Sequence, residues 1–226
     1  MTINAVTCIN LDTVKILPEP TTFFSQRFIW LKCAHYFHAF DRHAIIRTIP
    51  LRDAYSGTNY SNQMQTIELI QIGASGCPLT DVGRLDDIAR QVCAATAGLY
   101  RVTGFGPPWV GYLASVDKHL VGACAFKAPP VDGNIEIGYF TFPDAEGQGV
   151  ATLMVRQLLE IVRAENPALT VHAQTENEEN ASNAVLKKFG FNHVGTASDP
   201  EDGEIWLWQL ADVNKSPGLA MGNRHV

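Results

Sequence analysis

From Gln65 to Leu210 the chain alternates short apolar runs with amphipathic stretches, and the spacing predicts elements in a definite order. Thr66–Ile72 reads as a strand closed by Gly73 and Ser75-Gly76. Thr80 is the expected N-cap of a helix with the apolar stripe Val82, Leu85, Ile88, Ala89, Val92 and Cys93. That stripe fades over Ala94–Tyr100, and Gly104-Phe105-Gly106-Pro107-Pro108 breaks the element. Trp109–Val116 and Leu120–Lys127 are expected to pair as a hairpin around Asp117-Lys118-His119. After a turn over residues 128–133, Asn134–Phe142 is apolar on both faces, as a central strand is.

A helix leaves from Gly149, with Val150, Leu153, Met154, Leu158, Ile161 and Val162 on one face and Arg156, Gln157, Glu160 and Arg163 on the other. Asn166-Pro167 stops it. Leu169–Gln174 is a strand and Glu178–Phe189 a helix ended by Gly190. Phe191–Thr196 and Glu204–Leu210 close the series as a hairpin. Residues 64–211 therefore read as one domain. Residues 212–226 are polar, with Gly and Pro, and are expected to fray as a flexible tail. Residues 1–63 form an N-terminal extension of unknown role, aromatic-rich over Phe23–His43, where Phe24, Phe28, Leu31 and His35 have helical spacing. Met64 opens the regular part and could serve as its translational start; an intact mass beginning at Met1 would exclude that.

Composition narrows the function classes. The chain has 226 residues, 46% of them hydrophobic, enough for a substantial core. Its formal charge is 17 − 23 = −6 and it has no Lys/Arg run, which argues against a nucleic-acid partner. No apolar run is long enough to span a bilayer, so no membrane association is expected. Cys8, Cys33, Cys77, Cys93 and Cys124 are scattered without a Cys-x-x-Cys pair, and no basic-then-apolar leader opens the chain. These features predict reduced thiols and a cytoplasmic protein. Cys33, His35, His38 and His43 lie close in sequence, but their spacing matches no zinc pattern, so no metal is expected.

The chemistry concentrates in residues 140–152. An apolar strand runs into a Pro-Asp turn, a Gly147-Gln148-Gly149 turn follows, and a helix starts. Glycines let main chain approach a ligand closely, and the unpaired N–H groups of a first helical turn attract an anion. The loop is too short for a P-loop and lacks its Gly-Lys-Ser/Thr; Gly-x-Gly-x-x-Gly fails at Thr152.

The order of elements resembles the GNAT N-acetyltransferase superfamily. Glu136-Ile137-Gly138-Tyr139-Phe140, then Pro143, then Glu146-Gly147-Gln148-Gly149-Val150-Ala151-Thr152, is similar to the branch holding ribosomal-protein N-terminal alanine acetyltransferases and small-amine acetyltransferases. Leu186-Lys187-Lys188-Phe189-Gly190-Phe191 matches a further hallmark. The resemblance implies an α/β (α+β) fold with a mixed, mostly antiparallel sheet flanked by helices. It implies transfer of an acetyl group from acetyl-CoA to a primary amine, on a small molecule or a protein N-terminus. A homodimer is left open. Phe140, Thr141 and Phe142 would pair through their backbone with the pantetheine arm. The pyrophosphate would lie over Gly147, Gln148, Gly149, Val150, Ala151 and Thr152. Asn180 or Asn183 would touch the pantetheine or simply cap their helix.

Glu136 is the candidate base, directly or through water, with a structural strand role as its rival reading. The Phe142 N–H is the candidate donor to the developing oxyanion. Tyr100, Phe105 and Trp109 are candidates for an aromatic wall around the acceptor, and Trp109 is equally read as a core plug. Two positions depart from the family pattern. Glu146 stands where Arg or Gln is usual, and its carboxylate would repel a pyrophosphate. Leu186 stands where many relatives carry a tyrosine that protonates the leaving thiolate. Both feed an alternative: a coenzyme A-binding module that is inactive and regulatory.

Overall fold

The computed structural model describes residues 66–199 and 203–220. The extension 1–63, the helix expected over Phe23–His43 and the Cys33–His43 cluster lie outside the described residues. Seven strands form one sheet among the described residues: β1 (Glu68–Gln71), β2 (Gly111–Val116), β3 (His119–Phe126), β4 (Asn134–Thr141), β5 (Thr170–Glu176), β6 (Asn192–Asp199) and β7 (Gly203–Leu210). Their order is β1-β2-β3-β4-β5-β7-β6. Every neighbouring pair is antiparallel except β4 with β5. Helices α1 (Asp87–Thr103), α2 (Val150–Glu165) and α3 (Ala181–Lys188) cover the sheet, and a short α4 (Pro217–Ala220) follows β7. The mixed, mostly antiparallel architecture agrees with the expected one.

Alternation along the strands splits the core between two faces. Ile135 and Ile137 of β4 and Val171 and Ala173 of β5 pack with Met154, Leu158 and Val162 of α2. Leu113, Ala123, Ala125 and Phe142 pack on the other face with Val92, Cys93 and Leu99 of α1. A buried side chain such as Leu158, truncated to Ala, costs about 2–5 kcal/mol.

Three elements differ from the sequence reading. Helix α1 starts six residues later than expected, because Asp86 rather than Thr80 caps it, accepting from the Ala89 N–H at 2.7 Å. Asp81 instead bonds the Gly83 N–H at 2.9 Å and holds the preceding segment in a turn. The helix then runs through Ala94–Tyr100 without fading, since Thr96, Ala97 and Tyr100 continue its buried face. The stretch after Asp212 does not fray at its start. Val213 and Leu219 are buried, the Ser216 hydroxyl donates to the Phe189 carbonyl at 2.7 Å, and Gly218 lies flat against the Phe189 ring. Cys93 and Cys124 are free and buried, whereas Cys77 is disulfide-bonded, which departs from the expectation of reduced thiols. Among the described residues no helix is long and apolar enough to cross a membrane.

Candidate functional site

The site starts where two strands part. β4 and β5 pair only as Asn134↔Thr170, Ile135↔Val171 and Glu136↔His172. Beyond Glu136, β4 stays on β3 while β5 stays on β7. The wedge between them opens into a cleft of about 510 Å³. One wall is Ile137–Thr141 of β4 and the other is Gln174–Glu176 of β5. The starts of α2 and α3 close it, through Val150, Ala151 and Thr152 on one side and Asn180, Ala181 and Ser182 on the other.

Register decides which backbone groups face the opening. In an antiparallel pair, successive residues of a strand turn their amides to opposite edges. Lys127 N–H donates to the Glu136 carbonyl and Phe142 N–H to the Val121 carbonyl, so the even-numbered residues of β4 bond to β3. Ile137, Tyr139 and Thr141 therefore present their N–H and C=O groups to the wedge. Of the expected set Phe140, Thr141 and Phe142, only Thr141 has its amide turned that way. Phe142 is buried in the core and its N–H is already bonded, so it is not the oxyanion donor.

The glycine turn stands at one end. Pro143–Ala145 is a single 3-10 turn, and Gly147 and Gly149 follow with φ of 72° and 80°, a region that favours glycine. A Cβ built on either would meet nothing within 4 Å, so the loop leaves open space in front of its main chain. Gly149 is the N-cap of α2 and supplies no side-chain bond, which leaves the first amides of the helix without an intrahelical partner. Gln148 turns aside; its Nε2 donates to the Asp144 carbonyl at 3.1 Å, and it does not line the cleft. An extended ligand made of amides and ending in phosphates fits this donor and acceptor set: a free strand edge, then a bare helix start.

Residues 63–192, more than half of the chain, match the acetyltransferase (GNAT) domain family. The chain belongs to the GNAT acetyltransferase family. It is an acyltransferase. The GNAT domain is similar in fold to RimL, a ribosomal L7/L12 alpha-N-protein acetyltransferase in complex with coenzyme A, at 17% identity and a TM-score of 0.50 over 66% of this chain and 96% of that one. An acetyltransferase that modifies the N-terminal serine of ribosomal protein L7/L12 from Salmonella typhimurium gives 15% and 0.49, over 66% and 96%. Microcin C7 self-immunity acetyltransferase MccE, in complex with acetyl-CoA and AMP, gives 12% and 0.46, over 56% and 72%. No curated protein sequence matches.

Around the GNAT cleft, the remaining residues divide. Glu136 sits at the apex of the wedge, half-buried, and its carboxylate is ion-paired with the ammonium of Lys127 directly across the β3–β4 ladder. Lys127 lines the cleft and Glu136 does not. Asn180 lines it while its side chain caps α3, accepting from the Asn183 N–H at 3.2 Å. Asn183 is fully buried and away from the lining, with Nδ2 donating to the Glu178 carbonyl at 2.6 Å. Glu146 is exposed and lines the cleft at the glycine turn. Leu186 is fully buried in the core.

The expected aromatic wall is not in the cleft. Tyr100 is buried; its hydroxyl donates to the Ile72 carbonyl at 3.0 Å and accepts from the Gly111 N–H at 2.8 Å, and burial pushes its pKa up to about 12. It ties α1 to the ends of β1 and β2. Phe105 packs edge-on against Tyr100 and Trp109 edge-on against Phe126. Lining residues that the sequence reading missed include Lys127, Tyr139, Gln174, Glu176 and Ser182. The signal that could have found the β5 members is their alternation with buried Val171, Ala173 and Thr175.

Proposed function

We propose that this GNAT domain moves the acetyl group of acetyl-CoA directly to a primary amine, either a small amine or a protein N-terminus. The observation that carries the reading is the opened edge of β4, leading to the bare amides at the start of α2. The main chain at Ile137, Tyr139 and Thr141 would hold a pantetheine arm as an added strand. The amides of Gly147, Gly149, Val150 and Ala151 would hold the pyrophosphate. Acetyl-CoA supplies the activated acyl thioester; the chain orients it and handles a proton. A primary amine is protonated near pH 7 and must lose that proton before it can attack. Glu136, at the apex of the wedge, is the proposed acceptor of it through water. RimL, whose name describes a protein N-terminal acetyltransferase, keeps free protein N-termini among the acceptors to be tried.

Calorimetry with coenzyme A, followed by thiol release from acetyl-CoA across small primary amines and peptides with free N-termini, tests the reading. Binding with turnover on at least one amine is the expected result. Binding without turnover favours the second reading, a regulatory coenzyme A-binding module. Exposed Glu146 at the phosphate end and apolar Leu186 support that second reading. No binding at all rejects both.

A further inference from the structure

The geometry points to Gln174 as the residue that recognises the acceptor amine, an inference that rests on the acetyl-transfer reading above. Val171, Ala173 and Thr175 of β5 turn into the core, so His172, Gln174 and Glu176 occupy the opposite face. Pairing of His172 with Glu136, and of Glu136 with Lys127, puts those side chains on the same face as Gln174. Had the β4–β5 ladder run two steps further, Gly138 would stand opposite Gln174. The strands part there instead, and Gly138 projects no side chain into the gap. Both residues line the cleft.

Gln174 Oε1 is buried in this gap with no hydrogen-bond partner among the described residues. Buried amide oxygens are nearly always satisfied in native proteins, because leaving one bare is costly. This oxygen can only accept, so it calls for an N–H or O–H from outside the described fold. A primary amine brings one in both its charged and neutral forms. The amides of a pantetheine arm also carry N–H groups, but the acceptors suited to them are the β4 carbonyls at Ile137, Tyr139 and Thr141. Gln174 faces away from the α2 side of the sheet, toward Lys127 and Glu136. Glu176, two residues on, adds a carboxylate to the same wall. The acceptor class is therefore an amine that donates to a carboxamide oxygen as it approaches the thioester.

Steady-state thiol release, coenzyme A calorimetry and thermal melting of Gln174→Met and Gln174→Glu test this. In Gln174→Met the acceptor KM is expected to rise about tenfold or more, with the coenzyme A Kd within about twofold of wild type. Its Tm should hold or rise, since the apolar side chain leaves no bare polar atom behind. Gln174→Glu keeps an acceptor oxygen and should restore the acceptor KM. An unchanged acceptor KM in Gln174→Met with turnover intact overturns the inference alone. So does a weakened coenzyme A Kd with acceptor KM unmoved, which would assign the oxygen to the pantetheine. A Tm lowered by several degrees would make Gln174 structural and overturn it too. Wild-type protein that binds coenzyme A yet acetylates no amine overturns both this inference and the transfer reading.

Discussion

The Tyr139 hydroxyl donates to the main-chain oxygen of Ser182 at 3.1 Å, joining β4 to the first turn of α3 across the cleft. Burial pushes its pKa above the ordinary phenol range, so it stays a donor at every physiological pH. The bond is a strut between the parted strands' two sides. Tyr139→Phe is expected to cost about 1 kcal/mol of stability. It should also weaken coenzyme A binding about fivefold, since 1.4 kcal/mol is a factor of ten. Urea denaturation and calorimetry read the two effects separately; no change in either would show the strut to be idle.

Glu136→Gln is expected to lower kcat about 100-fold while leaving the coenzyme A Kd unchanged, the range a general base contributes. A loss below about tenfold would remove Glu136 as the base and leave it a partner of Lys127 only. Lys127→Met breaks the same ion pair from the other side and should lower kcat by freeing the Glu136 carboxylate from its position.

At the glycine turn the loop carries an exposed carboxylate, where the proposed ligand is anionic. Glu146→Gln should tighten coenzyme A binding about threefold at low salt, with the gain shrinking as screening increases. Calorimetry at two ionic strengths checks it. Equal or weaker affinity at both would mean that the carboxylate points away from the phosphates.

Cys93 is expected to make stability pH-dependent on the alkaline side. Burial raises its thiol from 9.0 to about 11. A pKa raised on folding contributes stability that is fully present below the unfolded value and is lost as pH climbs through the folded one. Unfolding free energy should therefore decline between pH 9 and 11, and a Cys93→Ala variant should show less of that slope. Maleimide labelling of the folded protein at neutral pH should spare both Cys93 and fully buried Cys124.

Much of the fold could be read from residue order. The α2 stripe, the glycine turn and the strand before it are local patterns, set by 3.6-residue spacing and by residues that break helices. Features that needed pairing could not be read that way. Side-chain alternation shows which faces of β4 are apolar, but not that Thr141 rather than Phe140 turns its amide to the wedge; that follows from the bond between Phe142 and Val121. Tyr100 looked like a substrate wall because its partners, Ile72 and Gly111, are 28 and 11 residues away. Lys127 gained meaning only when the hairpin set it across from Glu136. The start of α1 is expected at Thr80 from sequence, but Asp86 caps it because its side chain reaches a helical amide, while Asp81 bonds the Gly83 N–H.

The Gly149 cap has a practical consequence for how this protein can be dissected. The contribution proposed for it in anion binding is a set of peptide hydrogens, and trimming side chains to alanine leaves those hydrogens where they are. On that reading Thr152→Ala would return near-normal affinity, and residue 151 is alanine already, so a side-chain scan would miss the grip. Probes that act on the main chain, such as proline at Ala151 or a one-residue deletion in the turn, are the ones that would expose the grip.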